Sequence, residues 1–182
     1  MNPVPTDQLP GDFRLPRAIL WGWLICGVMD INAAFISAYV QGGTPPIRLL
    51  QGVAGALVGP TTFDRGLTTA ALGLAMHFSV AFTVTLIFYL ASRRFPGLLR
   101  WGGVPAGLVY GAGVYLFMFR GVVPVTIELR ALYLAGYVRP PPPALRLPQF
   151  IIHLFCVGLP VALAVRRFAP VPAAGTGAGA RS

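Results

Sequence analysis

Residues 67–94, LTTAALGLAMHFSVAFTVTLIFYLASRR, decide the fold. They form an apolar run long enough for a bilayer-crossing helix, which needs about 20 residues. One histidine, His77, lies near the middle, and Arg93 and Arg94 close the run. Residues 147–167 repeat the plan, with His153 inside IIHLF and Arg166 and Arg167 at the end. The two stretches predict a doubled membrane unit.

The composition points the same way. Of 182 residues, 55% are hydrophobic and 10% charged, and the mean hydropathy is +0.71. A soluble domain carries about 25% charged residues, so this chain has too few to solvate a globule. The formal charge of +9 comes from 14 arginines and no lysine. Those arginines sit at the ends of apolar segments and not along one face, which sets nucleic acid aside as a partner. The expected partner is a lipid bilayer with anionic headgroups. Other membrane subunits, or a second copy of the chain, are further possible partners. Cys26 and Cys156 fall inside apolar segments and read as small buried hydrophobes. The first apolar run is too long for a signal-peptide core and contains Asp30.

In chain order, residues 1–17 read as a polar, proline-rich cytoplasmic arm. Residues 18–40 are the first span, interrupted by Asp30 and Asn32 and stopped by Gly42, Gly43, Pro45 and Pro46. Residues 47–59 are too short to span and suit a re-entrant or interfacial helix. The second span covers residues 67–91 and the third residues 102–123, with Arg120 near its far end. Residues 125–136 read as a separate amphipathic helix at the interface, followed by a stiff proline connector. The fourth span covers residues 147–165, with a kink expected at Pro160, and residues 169–182 read as a disordered tail. The fold class is thus an all-α integral membrane protein with four transmembrane helices and short interfacial or re-entrant helices. Residues 18–168 form the bundle.

Eight arginines fall on one side of this layout and six on the other. The pairs tight against span ends are all on the first side, so both termini are expected in the cytoplasm. An offset of 80 superposes Trp21 on Trp101, Gly27 on Gly107 and Ile47 on Ile127, and an offset of 76 superposes His77 on His153. These matches suggest a tandem repeat with halves at about 18–94 and 101–168, related by a two-fold along the membrane normal.

Asp30 is the residue least suited to a bilayer, where a central carboxylate costs at least ~2.5–3.5 kcal/mol on insertion scales and requires a partner. It lies ten residues before Val40, and His77 lies ten residues after Leu67, so both sit about 15 Å from the outer boundary at 1.5 Å per residue. A hydrogen bond or ion pair between them is geometrically open, with Asn32 and Thr83 as further polar neighbours. Two readings follow: an ion or proton relay through Asp30, His77, Asn32 and His153, or a structural pin between helices. His77 and His153 also raise bis-histidine haem ligation, although by the same rise His153 is shallower by about 6 Å. No other cofactor and no metal is indicated: metal-ligand spacings, CxxCH and a catalytic constellation of Ser, Cys, His and Asp are all missing from the sequence. Gly103, Gly107 and Gly111 form GxxxGxxxG, a groove for close helix packing in the same chain or another copy. Gly52, Gly55 and Gly59 lack the lysine and preceding strand of a phosphate loop.

From His77 onward the order of features resembles the YagU-like family of small bacterial inner-membrane proteins. The matching features are HFSVAF, Phe95–Pro96 after a basic end, Trp101–Gly102–Gly103, Ala106–Gly107, the amphipathic segment at Glu128, and IIHLFCVGLPVALAVRR. The resemblance covers about half the chain and implies a four-span protein of the bacterial inner membrane, without catalytic residues to carry over. The sequence leads to three functional expectations. They are a small transport or ion-coupling protein, not an enzyme; a structural or assembly subunit using the glycine face; and a haem-binding electron carrier.

Overall fold

The computed structural model describes residues 14–168 apart from Pro96, Trp101, Ala135, Pro142 and Pro143. Most of the expected N-terminal arm, the expected disordered tail and the Trp21–Trp101 equivalence therefore lie outside the described residues. Helix α1 covers Arg14–Gly42, α2 Pro46–Val58, α3 Gly66–Arg94 and α4 Gly97–Arg100. The last two helices are α5, Gly103–Tyr133, and α6, Leu147–Phe168. No described residue is in a strand. The protein is all-α, and α1, α3, α5 and α6 are each long and apolar enough to cross a membrane. Helix α1 starts earlier than the sequence suggests and takes in Arg17, which belongs to the expected arm.

Local chemistry explains the breaks. Pro46 occupies the first turn of α2, where its missing N–H is no loss. Gly59 then ends α2 at φ +87°, a conformation that favours glycine. A short turn at Pro60–Asp64 leads into α3, and Thr69 Oγ1 donates to the Thr62 carbonyl at 2.6 Å across it.

One expectation is corrected in the second half. Residues 125–136 are not a separate interfacial helix: α5 runs on through Pro124 to Tyr133. The reason is a wide π-type turn at Met118–Val122, where the N–H of Val123 reaches back five residues to the Met118 carbonyl. Proline breaks a helix by losing one bond and clashing with the carbonyl four residues back, and a ladder already shifted by one residue removes that conflict. Pro160 repeats the device. It follows a π-type segment at His153–Gly158, and the Leu159 N–H bonds to the Leu154 carbonyl. The two halves consequently differ, since α2 is a detached helix in the first and its counterpart in the second is the continuation of α5.

Helix α6 is central, packing against α1 on one side and α5 on the other, while α1 also packs against α3. The core at one end joins Ala18, Phe88, Tyr89, Leu99, Val161 and Val165, which brings the start of α1, the end of α3, α4 and the end of α6 together. The spans therefore alternate in direction. Large apolar side chains such as Ile36, Val40, Leu67, Leu90, Val109 and Phe117 are exposed on the outside. Exposed apolar surface on this scale is foreign to a soluble monomer and ordinary for a lipid-facing one.

The glycine groove is filled from within the chain. A methyl on Gly103 would stand 2.8 Å from Leu163 Cδ2, and one on Gly107 2.8 Å from Leu159 Cα. Gly111 faces the backbone of His153 and Leu154, and Gly158 of α6 lies directly on Gly107 and Gly111. This face is therefore not open to a second copy or another subunit. Helix α2 makes a similar backbone contact on α3, with Leu50 and Ala54 over Gly73.

Candidate functional site

The middle of the bundle is built by reciprocal bonds between α1 and α3. Trp23 donates Nε1–H to the Phe78 carbonyl at 2.8 Å. In return, His77 Nε2 lies 2.9 Å from the Gly27 carbonyl. Trp23 and Gly27 are one turn apart on one face of α1, and Gly27 lets the Phe78 ring approach to 2.6 Å from where a Cβ would be. The ring of Phe78 stands edge-on to both Trp23 and His77.

A carbonyl oxygen can only accept, so the His77 bond fixes the tautomer: Nε2 carries the proton and Nδ1 the lone pair. Nδ1 faces Asp30, 3.8 Å from Oδ2, with both side chains mostly buried. That distance is within ion-pair range and beyond a hydrogen bond. With a neutral imidazole and a carboxylate, lone pair faces lone pair. One proton on either atom turns the contact attractive, giving a carboxylic acid against imidazole or imidazolium against carboxylate. The pair is a site for one proton.

His153, on α6, packs against α5. Its Nδ1 lies 2.8 Å from the Gln149 carbonyl, which makes Nδ1 the donor and leaves Nε2 as an acceptor. Tyr115 and Phe119 present their rings edge-on at 5.4 and 6.1 Å between centroids. Of the four expected relay residues the structure brings two, Asp30 of α1 and His77 of α3, into contact range.

Asn32 is exposed and donates Nδ2–H to the Val28 carbonyl on its own helix; two residues at 100° each carry it to the face opposite Asp30. Thr83 is likewise exposed and bonds to the Ser79 carbonyl. Gly103, Gly107 and Gly111 serve the α5–α6 contact.

Haem does not fit the histidines. An axial histidine offers one nitrogen to iron while the other is held by a carbonyl or carboxylate. His77 has its Nε2 held by the Gly27 carbonyl, and its Nδ1 lone pair is turned to Asp30, whose Oδ2 at 3.8 Å leaves no room for a porphyrin iron on that nitrogen. Among the described residues, no three His, Cys, Asp or Glu side chains could hold a metal ion.

Sequence reading missed Trp23 and Gly27, whose spacing on α1 was the available signal, and Gln149, one turn before His153. It also missed two bonds that tie the bundle further. Tyr110 donates to the Val84 carbonyl at 2.6 Å, and Tyr115 is linked to the Arg146 backbone at both N–H and carbonyl. Fold and site together define a four-helix, all-α membrane-type protein with an Asp–His pair at its centre. The chain matches no protein-family model, no curated protein and no solved structure.

Proposed function

We propose that this chain is a small transport or proton-coupling protein, or a subunit of one, and not an enzyme. The observation that supports the reading is the Asp30–His77 pair. A carboxyl at that depth costs at least ~2.5–3.5 kcal/mol on insertion scales, and a partner whose tautomer is fixed makes its uptake of a proton a defined event. The reading places the protein in a bacterial cytoplasmic membrane with both termini inside, as the paired arginines in the last turns of α3 and α6 favour. Anionic lipid headgroups are its partners on that side.

A second reading is favoured by the reciprocal bonds Trp23–Phe78 and His77–Gly27. In it the same residues are a static pin holding α1 against α3. Proton flux in reconstituted vesicles separates the two. Under the transport reading, Asp30→Asn abolishes flux while the protein stays folded and monodisperse. Unchanged flux in Asp30→Asn sinks it and leaves the pin.

A further inference from the structure

We infer that one anionic phospholipid is held between α1 and α6, with an acyl chain in the cleft they form and its phosphate at Arg146. A cleft of about 560 Å³ lies between the last turns of α1 and the first turns of α6. Its lining includes Ala33, Ile36, Ser37 and Gln41 on one side and Leu147 and Ile151 on the other. Both helices are long and apolar enough to cross a membrane, so in a bilayer the cleft opens on hydrocarbon. Ile36 and Ile151 stay exposed in it, and no described residue fills it.

The lining is graded in polarity along the helices. At the end nearer Asp30 it is alkyl, with Ala33, Ile36 and Ile151; Ser37 and Gln41 follow toward the end of α1. Gln41 Nε2 donates to the Ser37 hydroxyl oxygen at 2.6 Å and to the Ser37 carbonyl at 3.2 Å. The Ser37 O–H proton has no acceptor among the described residues and is free for the ester carbonyl of a lipid. From Ala33 to Gln41 the rise is about 12 Å, against about 15 Å for half of a bilayer's hydrocarbon core. The cleft thus accompanies a chain through most of one leaflet.

Charge selects the headgroup. Arg146 directly precedes Leu147, the first residue of α6 and part of the lining. The Tyr115 hydroxyl holds the Arg146 backbone at its N–H, 2.7 Å away, and at its carbonyl, 3.1 Å away. The residue is therefore fixed in place while its side chain is exposed. Among the described residues its guanidinium makes no hydrogen bond and no ion pair; the ion pairs are His77–Asp30 and Arg139–Glu128. An arginine at a hydrocarbon boundary without an internal counter-charge turns to headgroup phosphate, which its planar fork fits. A second copy of the chain is the poorer occupant. A two-fold contact sets the same patch against itself, and neither Arg146 nor any residue of the lining is acidic.

Native mass spectrometry of the full-length protein, incubated in detergent with equimolar phosphatidylglycerol and phosphatidylcholine, tests the inference. One retained phosphatidylglycerol per chain is expected, at about fivefold excess over phosphatidylcholine, the factor that corresponds to about 1 kcal/mol for one arginine at a lipid surface. Arg146→Gln keeps the backbone bonds to Tyr115 and is expected to bring that ratio close to one. Ile151→Trp, at an exposed position in the cleft, is expected to lose the retained lipid of either kind. Should it fail to fold, Ile36→Trp carries the same test. Val109→Trp, exposed on α5, and Arg100→Gln, at the other end of the bundle, are expected to keep the native pattern. Equal retention of the two lipids by the native protein, a preference that survives Arg146→Gln, or a lipid that survives the tryptophan variants overturns the inference. A native dimer that becomes a monomer in Ile151→Trp overturns it as well and assigns the cleft to a second copy.

Discussion

His77 Nε2 sits 2.9 Å from the Gly27 carbonyl, and this one bond turns Nδ1 toward Asp30 at 3.8 Å. The bond contributes to stability and also sets the proton chemistry of the pair, and the two roles can be separated by substitution. His77→Gln keeps an N–H for Gly27 and removes the titrating ring. It is expected to unfold within about 1 kcal/mol of the native protein, near the ~0.6 kcal/mol average for such bonds in membranes, and to lose proton flux as completely as Asp30→Asn. His77→Leu is expected to lose both. Thermal unfolding in detergent, read beside vesicle flux, checks the contrast; native flux in His77→Gln would leave the histidine a pin only.

The α5–α6 contact gives a sharper stability test. Gly111→Ala and Gly158→Ala each push a methyl into the backbone of the facing helix. Overpacking of this kind costs about 1–3 kcal/mol, and here the clashing atoms are backbone, so the upper part of that range is expected. Gly113, on the same helix, has open space around it, with nothing within 4 Å of where a Cβ would stand. Gly113→Ala is therefore expected to be neutral or to gain up to about 1 kcal/mol. Unfolding midpoints of the three variants decide it, and equal losses at Gly111 and Gly113 would contradict the packing described.

Arg130 joins the continuation of α5 to the end of α2. Its Nη1 donates to the Gly55 carbonyl at 2.9 Å while its guanidinium lies over the Tyr137 ring. Tyr133 adds a hydroxyl bond to the Leu57 carbonyl. A cation at the carbonyl end of a helix is favourable, and partial exposure limits the gain to about 1 kcal/mol. Arg130→Gln is expected to speed hydrogen exchange at residues 55–59 with little change in the α5–α6 core. Exchange that rises equally throughout would show that Arg130 supports the whole bundle.

The proposed orientation is open to labelling. In a chain with Cys26 and Cys156 replaced by alanine, Thr44→Cys after α1 should react with a membrane-impermeant maleimide from outside intact cells. Gly97→Cys in α4 has nothing within 4 Å of its Cβ position and should react only after the membrane is opened. The reverse pattern would invert the topology.

Much of this architecture is written locally. Four long apolar runs, arginines at their ends and proline or glycine between them are enough to define four spans, because a bilayer demands length, hydrophobicity and closed backbone bonding of each helix by itself. Even the depth match of Asp30 and His77 needs only residue counting. Counting also misled where a signal was read singly: Asn32 is level with Asp30 to within two residues, yet about 200° of helix rotation puts it on the opposite face.

What the tertiary structure decided are the matters that depend on neighbours. Pro124 reads as a break, but the π-type turn before it carries α5 through, because a ladder shifted by one residue has no bond for proline to lose. The GxxxGxxxG groove reads equally as an interface within or between chains, and Gly158, invisible as a partner in sequence, closes it from within. His77 alone could hold either tautomer; the Gly27 carbonyl, a backbone group present at every residue, selects one. The sequence by itself determined that this chain is a four-span bundle with a carboxyl and two histidines in its apolar interior. Only the fold decided which atoms of those groups face one another, since that depends on helix rotation and on backbone acceptors that no side-chain pattern records.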